Sequence, residues 1–152
     1  MRRTIAAVAV LAAGVALAQT GGDPATELKK LEGAWEVREG TIGGKPADAT
    51  EVVIKDGLIR IHSESRDEPK FIRDDEAKFA IDPSKSPAHL NLTTVRGNLA
   101  IAGIYEFRDT QAGVELVIAF TQGDGGARPK DFSGTGERTV LLKLVRKKPV
   151  RD

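Results

Sequence analysis

The sequence predicts an all-β domain of about eight antiparallel strands closed as an up-and-down barrel. Three observations predict it. Apolar residues alternate with polar ones at period two along most of the chain, turn signals separate the alternating runs, and no long run has helical spacing. A sandwich would share those signals. The opening, a short helix and then consecutive hairpins, is how a barrel is written.

Ahead of the domain, Arg2 and Arg3 precede an apolar run from Ile5 to Leu17, and Ala16-Leu17-Ala18 supplies small residues for cleavage. Residues 1–18 therefore read as a signal peptide, removed before Gln19. The run is shorter than the ~20 apolar residues that span a bilayer, so export to the periplasm or the outside is expected, with no membrane span left after cleavage. Residues 19–25 read as a flexible leader and 26–148 as the barrel domain. Leu28 and Leu31 share helical spacing just before Gly33.

Gly33-Ala34-Trp35 opens the first strand, with Trp35 and Val37 on one face. Val52 and Ile54 follow, then the hairpin signal Lys55-Asp56-Gly57, then Ile59 and Ile61. Residues 64–76 are charge-rich, and Lys70–Arg73 reads as a short edge pairing. Ala77, Phe79 and Ile81 alternate next, followed by Leu90 and Leu92. Ile101, Gly103, Tyr105 and Phe107 share a face, as do Val114, Leu116, Ile118 and Phe120. Val140, Leu142 and Leu144 close the series, after an irregular segment from Gln122 to Glu137.

Between two of these strands lies Ile81-Asp82-Pro83-Ser84-Lys85-Ser86-Pro87. The Asp82 carboxylate can accept backbone N–H groups ahead of it, and Pro83 and Pro87 cannot continue a ladder. Asp82, Pro83 and Pro87 are accordingly structural residues of a rigid corner.

Charge and composition narrow the function. Removing Arg2 and Arg3 takes the formal charge from +1 to −1, which gives no footprint for nucleic acid. With no cysteine there is neither a disulfide framework nor a lipid-attachment thiol. His62 and His89, the only histidines, fall on outward faces, and no ligand cluster for a metal is expected. Asp74-Asp75-Glu76 lacks the spacing of a calcium loop. Neither "GGKP" nor "GDGGARPK" has the order of a phosphate-binding loop, and "FSGTG" lacks that of a nucleophile elbow. No cofactor and no catalytic constellation are expected, because the inward face is almost wholly apolar.

Five segments in order, "LEGAWEV" (31–37), "IDPSKSPAHLNL" (81–92), "GIYEF" (103–107), "RPKDF" (128–132) and "TVLLKLVRK" (139–147), cover nearly the whole mature chain. Together they resemble an uncharacterised lipocalin-like domain family found mainly in planctomycete bacteria. The resemblance implies an exported small barrel domain and brings no activity with it. Residues 64–76 depart from it, being longer and more charged than the usual hairpin.

The expected function is a non-catalytic envelope module, interacting or structural, with its interior filled by large side chains and an envelope protein as a candidate partner; the alternative is a carrier of a small apolar ligand. For the carrier, Trp35, Tyr105, Phe107 and Phe120 would line the interior. Phe132 would fold over one mouth as a lid, with Arg128 at its rim. Period two carries Arg146 inward at the end of the last strand, where it is expected to stack on Trp35 and close that end.

Overall fold

The computed structural model describes residues 23–64 and 72–148. The proposed signal peptide, residues 19–22 of the leader and the first half of the expected Lys70–Arg73 pairing lie outside them. Helix α1 (Pro24–Leu31) is followed by strands β1 (Gly33–Ile42), β2 (Lys45–Pro46), β3 (Ala49–Lys55), β4 (Leu58–Glu64) and β5 (Ile72–Asp82). Strands β6 (Ala88–Thr94), β7 (Ala100–Thr110), β8 (Gly113–Thr121) and β9 (Thr139–Arg146) complete the chain order.

Each strand pairs antiparallel with the next, apart from β2, which only extends the far end of β1. β1 then pairs with β9, Trp35 opposite Arg146 and Ile42 opposite Val140, and this closes the remaining strands into an eight-stranded barrel. Closure removes every free sheet edge that eight strands would otherwise expose to another chain. The expected all-β barrel is the observed one.

Local chemistry explains the turns. Asp56 (φ 53°) and Gly57 (φ 74°) both take left-handed backbone, the requirement of a two-residue hairpin whose twist matches its strands. At the 82–88 corner the Ser84 backbone N–H and hydroxyl both donate to Asp82 Oδ1, at 3.1 and 2.5 Å. Those bonds, the hydroxyl's first, hold the Asp82 carboxyl below its ordinary range. A cis Ser86–Pro87 bond completes the corner.

Inward residues from all eight strands form one core that includes Val52, Leu90, Leu116, Ile118 and Leu144. A bulge between Val37 and Glu39 shifts the register of β1, so that Gly40 and Ile42 continue the inward row beyond it. A second, smaller apolar cluster lies on the other side of the wall. Ile104, Val117, Ala119 and Leu141 sit on the outward phase of β7, β8 and β9, and Phe132 packs against them.

Helix α1 covers one end of the barrel. Its buried residues are Glu27 and Leu31, while Leu28 is exposed. The expected Leu28–Leu31 face is thus corrected to a face one turn apart, Glu27 with Leu31. The helix end is held by the barrel itself. Trp35 Nε1 donates to the Leu31 carbonyl at 2.8 Å, Arg146 Nη2 donates to the Lys30 carbonyl at 2.5 Å, and Arg146 Nη1 donates to the Glu32 carbonyl. These are carbonyls that a helix C-terminus leaves without partners. The Arg146 guanidinium lies 4.2 Å from the Trp35 ring centroid. Gly33, at φ 128°, leaves room for it, because a Cβ there would run into the Arg146 guanidinium. The Gly-x-Trp opening therefore has a physical reason.

Candidate functional site at the open end

The two ends of the barrel are filled differently. Trp35, Tyr105 and Phe107 stack beneath α1, with ring centroids 6.4 Å apart for Trp35–Phe107 and 6.1 Å for Tyr105–Phe107. Trp35 is 1% exposed and Tyr105 2%, so this half is packed solid. Two buried polar atoms there, Tyr105 Oη and Glu27 Oε2, have no hydrogen-bond partner among the described residues. Burial, with the Glu27 and Asp82 carboxylates adding to it, pushes the Tyr105 phenol far above its ordinary range.

Toward the opposite end the described inward side chains, Ile59, Ile61, Leu92, Ile101 and Phe120 among them, leave space between them. A cavity of about 1210 Å³ results. Its wall includes Ile59, Ile61, Ala77, Leu92, Ile101 and Phe120. The mouth is formed where strands begin and end: Ile42, Asp48 and Ala49 on one side, Thr94, Val95, Arg96 and Leu99 on another, and Gln122 beside them. Three of its apolar residues face solvent, Val95 at 50%, Leu99 at 39% and Ile42 at 37% exposed.

Most charges at this mouth are already engaged. Arg60 pairs with Glu76 at 3.1 Å, and His62 Nδ1 lies 2.5 Å from Asp74 Oδ1, both pairs on the outward phase of β4 and β5. Asp75, on the inward phase opposite Ile61, also has a partner. Among the described residues, no three His, Asp or Glu side chains gather as metal ligands would.

The sequence-predicted residues divide between the two halves and the outer wall. Phe120 lines the cavity. Trp35, Tyr105 and Phe107 belong to the packed half instead, and Asp82, Pro83 and Pro87 form the corner at that same end. Phe132 and Arg128 are not at a mouth. The segment after β8 folds against the outside of the barrel, where Phe132 covers the outward apolar cluster and Arg108 lies 5.4 Å from its ring. Arg128 clamps that segment down, donating to the Gly103 carbonyl and to Asn91 Oδ1, both at 2.6 Å. The expected lid is therefore corrected to an outer strap. Its physical cause is the apolar patch on the outward phase of β7 to β9, which needs cover more than the open mouth does. On the same wall, burial and the nearby Arg128 cation hold His89 below its ordinary range.

Sequence reasoning missed the mouth residues, Val95, Arg96, Leu99 and Ile42 among them. They sit in turns and at strand ends, where alternation stops reporting which way a side chain faces.

Fold and cavity define the class, a closed eight-stranded barrel plugged at one end and, among the described residues, hollow at the other. Set against known proteins, the chain matches no family model, no curated protein and no solved structure.

Proposed function

We propose that this chain is an exported, non-catalytic carrier that holds a small apolar ligand in the open half of its barrel. The cavity of about 1210 Å³ carries the reading. Its volume exceeds the ~300–1,000 Å³ of ordinary small-molecule pockets, and an eight-stranded barrel is wide enough to hold one small ligand. The apolar part of the wall, Ile59, Ile61, Leu92, Ile101 and Phe120, suits an apolar body, and the plug of Trp35, Arg146 and α1 leaves the opposite mouth as the route in. Membership of the lipocalin-like planctomycete family, supported by the five sequence segments, is part of the same proposal.

The packed half favours a second reading, an envelope interaction module whose cavity is incidental. Native mass spectrometry of protein purified from its own host separates the two. The carrier reading expects a defined extra mass that is lost on denaturation. Bare protein that also fails to take up any apolar probe would leave only the module.

A further inference from the structure

We propose that the ligand is a single-chain amphiphile with an anionic head, a long-chain carboxylate, and that Arg96 holds its head at the mouth. The inference rests on the carrier reading and names the ligand class for that cavity.

Three observations converge on Arg96. The first is position: Arg96 lines the cavity together with its neighbours Val95 and Leu99. The second is availability. Arg60 is paired with Glu76, whereas the Arg96 guanidinium has no ion pair, hydrogen bond or ring contact among the described residues. The carboxylates of Asp74 and Glu76 are engaged, and Asp75 has a partner as well. Asp48, the remaining lining carboxylate, belongs to the β2–β3 link, while Arg96 follows β6; at least three strand steps separate β1 and β3 from β6 and β7 either way round the closed sheet. The third is the pair of apolar residues flanking the cation. Val95 and Leu99 are well exposed on a turn that is firmly held. Thr94 Oγ1 donates to the Arg96 carbonyl at 2.7 Å and accepts the Leu99 N–H at 2.9 Å, and the Thr94 N–H donates to the Leu99 carbonyl at 3.0 Å.

An alkyl chain leaving the cavity past Leu92 and Ile101 would cover Val95 and Leu99. It would then present its terminal group to Arg96. A guanidinium offers a carboxylate two parallel N–H donors, and its charge needs no proton transfer at any ordinary pH. A purely apolar ligand would leave Val95, Leu99 and Arg96 unexplained. A cationic head would meet Arg96, which among the described lining residues is the cation without a partner.

The test displaces a neutral naphthylamine probe from the full chain with three ligands of equal chain length: dodecanoate, dodecanol and dodecylamine. Wild type is expected to bind dodecanoate best. Arg96→Ala should weaken dodecanoate about 5–10-fold, the effect of one charge-assisted contact at a solvated site, and leave dodecanol unchanged. Added salt should weaken dodecanoate alone. Only backbone groups of Arg96 hold the turn, so the substitution leaves the fold intact, which an unchanged melting temperature confirms. Binding of dodecanol with no preference for dodecanoate, or a preference that survives Arg96→Ala, overturns the inference and spares the carrier reading. Failure of the probe and all three ligands to bind overturns both.

Discussion

Replacing Arg146 by alanine should loosen the closed end of the barrel by a calculable amount. The side chain contributes a cation–π contact with Trp35 and donates to the Lys30 and Glu32 carbonyls of α1. A cation–π contact is worth about 0.5–2 kcal/mol, and a hydrogen bond to a charged donor about 1.5–3 kcal/mol net. Because Arg146 is exposed at the barrel end, the low ends of both ranges apply, about 3.5 kcal/mol for the three contacts together, and solvent screening lowers the expected loss to about 2–3 kcal/mol. Arg146→Lys keeps the charge but offers one compact ammonium to two carbonyls, so it should lose about half as much. The assay is urea unfolding followed by tryptophan fluorescence. Trp35 is the single tryptophan of the chain, so its emission reports on the contact itself. A coupled variant sharpens the test. Gly33→Ala puts a Cβ into the guanidinium, so in the Arg146→Ala background it should cost less, leaving only its backbone strain. A loss below about 0.5 kcal/mol for Arg146→Ala at unchanged m-value, or strict additivity with Gly33→Ala, would refute the reasoning.

Other predictions concern the packed half and the strap. Tyr105→Phe removes a buried hydroxyl that has no partner among the described residues; calorimetry should find stability unchanged or raised by up to about 1 kcal/mol, and a clear loss would mean that the hydroxyl is bonded. The folded phenol ionises far above its ordinary range, while the unfolded chain ionises it near pH 10. The folded state then binds the extra proton, so this contribution is complete below pH ~10 and falls as pH rises beyond it. An ultraviolet titration, in which Tyr105 is the only tyrosine, should show phenolate appearing together with unfolding and not before. Phe132→Ala uncovers Ile104, Val117 and Leu141 on the outer wall; it should cost about 1–2 kcal/mol for a half-buried ring and speed amide exchange across residues 127–135, with probe binding in the cavity unchanged.

The architecture was legible because antiparallel strands with one buried face impose a period of two, and this chain keeps it over long stretches. The Arg146–Trp35 contact was legible for the same reason, since counting by two from Leu144 reaches an inward cation beside the start of β1. Alternation fails at specific places. The bulge at Val37/Glu39 breaks the phase of β1, so its extension to Ile42 is hidden. In β5 the inward row runs through Asp75 before Ala77, and a charge on that row disguises the strand's first residues. Axial position is a further gap. Phase says that Trp35, Tyr105, Phe107 and Phe120 point inward, but the stagger between strands decides that three fill one end and Phe120 meets the hollow. The placement of Phe132 had a readable signal after all. Ile104, Val117, Ala119 and Leu141 are apolar on outward positions of three adjacent strands, and such a patch calls for an apolar cover.

The central claim is that the open half of the barrel takes a ligand, and a single substitution inside it tests this most directly. Ala77 faces the cavity from β5, and Ala77→Phe would intrude on that space without touching the plug at the other end. Titration of the neutral naphthylamine probe should show saturable one-to-one binding to wild type and clearly weaker binding to Ala77→Phe, at an unchanged melting temperature. Equal binding by both folded proteins would contradict the account, because the probe would then lie somewhere other than the barrel.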